Sequence, residues 1–436
     1  MSNKKTQKLW KQAKKIIPGG NMILSKRPEM SLPKKWPAYF KEAKGCHIKD
    51  LDGNTYKDFS LMGVGTNVLG YSNRDVNKAV SEAIKQGNMS SLNCEAEVEL
   101  CNKLLKIHKW ADMVKLARTG GEANSVAIRI ARAWSKKDNV AVCGYHGWHD
   151  WYLSANLRND KSLDKHLLKG LSTKGVPRGL TGTIFPFEYN NFSQLEKIVK
   201  KNNIGVIKME VFRNYPPKDD FLLKVRDLAT KKKIVLIFDE CTTGFRETYG
   251  GLHKKYKIFP DICIFGKALG NGYAITAIIG KQKIMDEAQS TFISSTFWSE
   301  RIGPTAALKT LDVMHKIKSW KIISEKGKKI KSEWSKIANK YDLPFKIQGT
   351  LGIPVFTFRS KNNLEYKTLI SQEMLKRNFL ATNAIYLCTQ HSDKLIEEYI
   401  YYLDKVFKLI SNCENGYDVK RYLKQPVCQT GFQRLN

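Results

Sequence analysis

No apolar run in this chain approaches the ~18–20 positions that a membrane-spanning helix needs. The first twenty residues, MSNKKTQKLWKQAKKIIPGG, lack the long apolar core of a secretory signal. Neither a membrane-spanning nor a secreted protein is expected. The nine cysteines are scattered and form no CxxC pair, which excludes zinc-ribbon and thioredoxin-like spacing. An odd number without framework spacing suits a reducing cytoplasm. Internal repeats and low-complexity linkers are missing too. Acidic residues are scarce, with 41 Asp and Glu against 74 Lys and Arg and a net charge of +33. Such a charge raises the question of nucleic acid. The lysines, however, are spread along the whole chain, and no RNP or zinc-finger motif accompanies them. Runs such as 231–233 and 325–336 read as solvated helix faces. A lysine-biased composition accounts for them; attraction of an anionic substrate is the alternative.

What is present is enough for more than one core. A chain of 436 residues exceeds the ~250–300 at which a single core stops growing. Near the N-terminus Leu9, Trp10, Ala13, Ile16 and Ile17 fall roughly on one helical face, ended by Pro18-Gly19-Gly20. That helix is expected to dock on the protein body, with a membrane-surface helix as the alternative. Two short strands are expected around Asp52-Gly53. From about 74 to 310 the pattern alternates. Helical periodicity near 74–86, 94–108, 121–135 and 219–232 is interleaved with apolar runs at NVAVCG, GVIKMEV, IVLIFDE, ICIFG and AITAIIG. Alternation of this kind implies a mostly parallel sheet covered by helices. From about 311 onward long helices mix with a few strands, including one over 353–358, as in a separate α+β lobe.

Within the alternating region Asp239 ends a strongly apolar strand, and Lys267 follows another apolar run just before a glycine-rich turn. A buried carboxylate and a buried amine suit a cofactor that needs a proton held on a ring nitrogen and a covalent carbonyl anchor, as pyridoxal 5′-phosphate (PLP) does. The blander reading is two strand ends that each carry one charge. Gly120 and Gly121 open a helix whose free amides and dipole suit a phosphate, and Thr119 can add a hydroxyl. An ordinary turn into a helix has the same pattern. Tyr145 follows a buried strand and is flat enough to stack on a heteroaromatic ring. His146, His149 and Asp150 form a poor metal motif, and no metal is expected.

Together these segments resemble the class III aminotransferases of the fold-type I PLP enzymes, in particular glutamate-1-semialdehyde 2,1-aminomutase and its relatives. The resemblance rests on Asp239-Glu240 with Thr243-Gly244-Phe245-Arg246, on Pro260-Asp261 with Gly266-Lys267, and on PGG at 18–20, DLDGNTYKDF at 50–59, GGEAN at 120–124, YHG at 145–147 and RIGPTAALKTL at 301–311. It covers nearly the whole chain. It implies a fold-type I α/β transferase with three parts: an N-terminal segment over 1–60 joining the small lobe, a large PLP-binding domain over 61–310, and a small C-terminal α+β domain over 311–436. It implies that Lys267 is the Schiff-base lysine and Asp239 the partner of the ring nitrogen. Thr119, Gly120 and Gly121 would hold the phosphate, Tyr145 would stack on the ring, and His146 and Glu210 would make nearby contacts. Thr296 would reach the phosphate of a neighbouring subunit in a homodimer with shared sites.

The departures bear on the reaction. Asn383 stands where the aminomutases carry a glutamate eight residues before a histidine, here His391. Arg27, in preference to Lys26, is the candidate partner of a substrate carboxylate. Thr242 replaces a glutamine found near the cofactor in several relatives. Phe297 and Trp298 would narrow the dimer-facing side of the pocket, and Glu300 with Arg301 is expected to form an ion pair that orders this loop. The polar chain end PVCQTGFQRLN suggests only docking on the lobe. The expected activity is ping-pong amino transfer from a small-molecule amino donor to a keto or aldehyde acceptor, in the cytoplasm, with no membrane or specific nucleic-acid partner. The alternatives are the aminomutase reaction, another PLP reaction such as decarboxylation or racemisation, and a nucleic-acid-binding protein that kept only the fold.

Overall fold

The computed structural model describes residues 4–166 and 168–435. They divide into two compact units, one over residues 74–320 and the other over 1–73 with 321–436.

The unit over 74–320 is built on a seven-stranded sheet. Its strands are β1 (Met113–Ala117), β2 (Asn139–Cys143), β3 (Ile184–Pro186), β4 (Ile204–Glu210), β5 (Val235–Asp239), β6 (Ile262–Phe265) and β7 (Thr276–Gly280), in the spatial order β1-β7-β6-β5-β4-β2-β3. Strands β3, β2, β4, β5 and β6 run parallel to one another. Strand β7 runs antiparallel to both β6 and β1, so β1 points the same way as the parallel set. Every residue of β4 and β5 is buried, as expected where helices cover both faces of a parallel sheet. That explains why these strands read as continuous apolar runs. Strands β1 and β3 were not signalled. MVKLA is only partly buried, at the sheet edge, and β3 is three residues long.

The helix Gly120–Ser135 follows β1 and buries Ala123, Ala127, Ile130 and Ala131. Its small residues let the helix lie close to the sheet, and its first turn stands at the carboxyl ends of the strands. Ligands of open α/β sheets bind outside those ends. After β2 the chain turns through Gly144, whose φ of +115° lies in the left-handed region. A Cβ there would collide with the Glu210 carboxylate, so glycine lets this turn pass over the end of β4.

The second unit contains a sheet of Phe40–Lys44, His47–Asp50, Thr55–Phe59 and Phe379–Ala381, in that order, the last strand being parallel to its neighbour. The Asp52-Gly53 turn is fastened by Asp50, which accepts from the Asp52 and Asn54 amides, each at 2.9 Å, and from the Tyr56 hydroxyl at 3.0 Å. A hairpin of Phe345–Gly349 and Pro354–Phe358 packs its aromatic rings with Trp334 and Phe407. The N-terminal helix Lys4–Ile16 buries Trp10 and Ala13, and Thr6 donates to Asp52 at 2.6 Å. Leu9 and Ile16 remain exposed, so the docking face is narrower than the periodicity implies. The chain end docks on this unit. The Cys428 amide donates to Thr368 Oγ1 at 2.9 Å and the Gln429 amide to the Glu29 carbonyl at 2.7 Å.

Two buried histidines use Nδ1 as an acceptor. His166 receives the Gly144 amide at 2.9 Å and His391 the Cys388 amide at 3.2 Å. Burial first, with the Arg213 guanidinium and the nearby His146 ring adding to it for His166, lowers each from 6.5 to about 4. Protonating Nδ1 removes the acceptor. The unfolded chain binds these protons near pH 6.5 and the folded chain only near pH 4, so the stabilisation is complete above pH 6.5 and is lost as the pH falls toward 4. Each group contributes up to about 1.4 kcal/mol per pH unit in that window. The melting temperature measured by scanning calorimetry should be flat from pH 8 to 7 and fall between pH 6.5 and 4.5. An unchanged value at pH 5 would contradict this reading.

Candidate active site

The carboxyl ends of the parallel strands bring most of the expected residues together. Strands β4 and β5 are in register at their last residues, Glu210 beside Asp239. Two buried carboxylates side by side need different partners. Asp239 Oδ2 accepts from His146 Nδ1 at 2.9 Å and lies 4.0 Å from Lys208 Nζ, while Oδ1 accepts from the Cys241 amide at 3.1 Å. Burial alone would raise its pKa. The Lys208 ammonium and the His146 hydrogen bond outweigh burial and hold the carboxyl well below the usual range. Glu210 accepts from Arg213 Nη1 at 3.1 Å and from the Tyr145 amide at 3.3 Å. Here burial wins, and the carboxyl is pushed up despite Arg213. His146 is fully buried and lowered to about 4 by that burial, against the pull of Asp239. It is therefore neutral at pH 7 and gives Asp239 an N–H rather than a full charge.

Asp239 and Glu240 are consecutive and point to opposite faces, as alternation along a strand requires. Glu240 faces away from the site. It accepts from the Leu252 amide at 2.5 Å, the His253 amide at 2.9 Å, His253 Nδ1 at 2.6 Å and Thr243 Oγ1 at 2.7 Å. Trp110 Nε1 donates to the other ring nitrogen of His253 at 3.1 Å. Glu240, His253 and Cys263 are the one group among the described residues with metal-like ligand spacing. These hydrogen bonds already occupy its carboxylate and imidazole. The group ties down the loop after β5, and Arg246 adds a bond from Nε to the Thr242 carbonyl at 2.7 Å. Asp261, from the Pro260-Asp261 motif, also braces the sheet, accepting from the Leu236 amide at 2.9 Å, Arg226 at 3.0 Å and Lys281 at 2.8 Å.

Lys267 stands just beyond the end of β6, after Gly266, at φ +42°. A non-glycine residue in this region costs ~1–3 kcal/mol, and such strain collects at functional sites. Its Nζ donates to Thr242 Oγ1 at 2.7 Å, so the hydroxyl of the loop after β5 holds the amine of the loop after β6. Thr119 is the N-cap of the Gly120–Ser135 helix in a capping box. Its Oγ1 accepts from the Glu122 amide, and Glu122 accepts from the Thr119 amide at 2.8 Å. The Gly120 and Gly121 amides precede the first intrahelical bond and stay free for an anion. A Cβ on Gly121 would lie 2.9 Å from His149 Nε2, so the second glycine makes room for that ring beside the cradle. Tyr145 is half-buried, at a T-shaped 6.1 Å from Tyr152.

Thr296 is exposed on the turn Thr296–Ser299. Arg27 and Asn383 belong to the other unit. There Arg27 donates to the Gln433 carbonyl at 3.0 Å, and Asn383 donates its side-chain amide to the Phe356 carbonyl at 2.9 Å. The expected Glu300–Arg301 pair does not form. Glu300 pairs with Arg118 at 2.9 Å and accepts from the Ile302 and Gly303 amides at 2.7 and 2.8 Å. Arg301 turns to Cys94 Sγ at 3.3 Å and to Gln86. The free amides at the start of the Ile302–Ile317 helix attract the carboxylate more directly than its neighbour does. Arg118, Arg213 and Lys208 were missed. Of these, only Lys208 left a signal, as a lysine inside an apolar strand.

A mostly parallel sheet with a buried aspartate at one strand end, a lysine amine at the next and a helix N-terminus close by defines a fold-type I PLP-dependent transferase. Residues 32–386 match the family Aminotransferase class-III, and the chain belongs to that family. Its cofactor is PLP, and it is an aminotransferase. A 3-aminobutyryl-CoA aminotransferase of Cloacimonas acidaminovorans is 32% identical over 407 residues, covering 89% of this chain and 93% of that protein. A glutamate-1-semialdehyde 2,1-aminomutase of Methanosphaera stadtmanae is 30% identical over 387 residues, covering 86% and 88%. Among solved structures, the PLP internal aldimine form of the Sphingopyxis sp. MTA144 FumI protein superposes with a TM-score of 0.85 over 96% of this chain and 99% of that one. Its 21% identity makes this a likeness of fold. The residues present fit PLP: glycines keep a cradle open at a helix N-terminus, a buried carboxylate is held ionised, and an amine stands on a hydroxyl.

Glu240→Ala removes the carboxylate that four donors share and leaves them unpaired in a dry site. The loss should be about 3–5 kcal/mol of stability, measured by urea unfolding. A loss below 1 kcal/mol would show that water replaces the network.

Proposed function

We propose that Lys267 anchors PLP and moves the proton, that Asp239 holds the ring nitrogen protonated, and that Thr119, Gly120 and Gly121 bind the phosphate. The observation that carries this reading is the arrangement of Asp239 and Lys267 around one end of the sheet, the first forced to stay anionic and the second held on Thr242 Oγ1. Bound PLP supplies an electron sink for the carbon that carries the amino group. With PLP bound, the Lys267 amine would serve as the base and acid that moves the substrate proton, and Thr242 Oγ1, which accepts from that amine at 2.7 Å, would orient it. Tyr145 would cover the ring, with its amide fixed by Glu210. His146 would keep Asp239 in place without adding a second full charge.

We infer transfer between two separate substrates rather than within one. Asn383 cannot supply the charge of a glutamate, and its amide is engaged by Phe356. A substrate carrying an anionic group is favoured by the charge of +33. It is favoured also by Arg213, whose Nε is buried with no hydrogen-bond partner. A homodimer is supported by the exposure of Phe292 at 85% and Phe297 at 67%, on the segment that carries Thr296. Thr296 would then serve the partner's phosphate. A cytoplasmic location is supported by nine free cysteines. Among the described residues, no helix is long and apolar enough to cross a membrane.

Mixing the PLP-loaded protein with a panel of amines should bleach its visible absorbance with the true donor, and only an added keto acid or aldehyde should restore it. Restoration without an acceptor would favour the aminomutase reaction instead. Lys267→Ala should abolish repeated turnover, with kcat falling by several orders of magnitude. Normal turnover in that variant would refute the assignment. For an anionic substrate, kcat/KM should fall as salt rises from 0.05 to about 0.5 M, where the screening length drops below about 5 Å. A flat salt profile would argue for a neutral substrate.

A further inference from the structure

Lys208 sits inside the sheet, on a central strand, with Val142 of β2 on one side and Ile237 of β5 on the other. An apolar residue would suit this place. A lysine there loses its hydration and needs a strong reason to be ionised. Its side chain is 0% exposed, and its Nζ has no hydrogen-bond partner. The one ion pair recorded for it among the described residues is the 4.0 Å approach to Asp239 Oδ2. Positions 208 and 210 share a strand face. The titratable groups around the amine are Asp239 and Cys241 at the end of β5, Cys263 on β6, Glu210 on its own strand and His146 after β2. Burial opposes the charged amine, and Asp239 is the largest influence in its favour.

Resting on the assignment of Asp239 to the ring nitrogen, we propose that Lys208 is a positioning residue that shares the Asp239 charge from within the sheet and sets how tightly protons are held at the cofactor. The geometry separates two tasks. His146, neutral, fixes the direction of the carboxylate through a hydrogen bond. Lys208, too far for a hydrogen bond, supplies charge. With Lys208 present the carboxylate stays anionic while part of its field is cancelled. Without it the site is one positive charge poorer, and every proton near the carboxylate is bound more strongly.

The test uses the full-length, PLP-loaded protein and reads the visible absorbance against pH. In Lys208→Met, which keeps length and loses charge, the titration midpoint should rise by about one pH unit, the effect of removing one cation at close range in a partly screened interior. Lys208→Arg keeps a cation there and should titrate near the wild-type value. Lys208→Gln serves the same purpose as the methionine variant if the latter does not fold. A methionine or glutamine variant that retains PLP and titrates at the wild-type midpoint would overturn the proposal, since a residue with a merely structural role would leave the midpoint in place. A visible band that survives Lys267→Ala would instead overturn the cofactor assignment, and this proposal with it.

Discussion

An ionised carboxylate at the end of a dry strand is the constraint on which the candidate site depends. Burial acts against the charge on Asp239, and an isolated carboxylate there would take up a proton. Here it does not, because His146 and Lys208 approach the same oxygen and the Cys241 amide approaches the other. The neighbouring Glu210, buried beside it in register, is pushed the opposite way. Two carboxyl groups a strand apart are therefore separated in character by their partners alone. That separation lets one serve as a permanent anion while the other binds Arg213 and the Tyr145 amide.

Strand direction does the rest. Because β1, β2, β4, β5 and β6 point the same way, residues far apart in sequence meet at one edge, and each arrives on the short loop that follows its strand. Alternation divides the labour at the end of β5. Asp239 faces the site, and Glu240 faces the loop that must be held still for Thr242 to reach Lys267. The motif as a whole is therefore half chemistry and half scaffolding. Asp261 belongs to the scaffolding half, since its partners are a backbone amide and two cations that bind adjacent segments.

The class of fold was legible because a parallel sheet covered on both faces leaves apolar runs with helices between them, and β4 and β5 are buried throughout. The edge strands β1 and β3 were not, because a partly buried or three-residue strand carries too little periodicity. In the candidate site, Asp239, Lys267, the glycine pair and Tyr145 stood out because each follows an apolar run or opens a helix. The Glu300–Arg301 expectation failed for a reason that adjacency in sequence conceals. A carboxylate at a helix start meets free amides and, in this fold, an arginine from 182 residues earlier.

The sequence by itself determined the buried central strands, the helices between them and, through its motifs, the family and its cofactor. These follow from local pattern, which chain chemistry imposes wherever the segment lies. Only the tertiary structure decided which charges are shared. That Lys208 backs Asp239, that Arg213 takes Glu210 and that Arg118 takes Glu300 depends on neighbours brought together across the sheet. At short range in a medium of low polarity, a few ångströms decide whether a charge is stabilised or expelled.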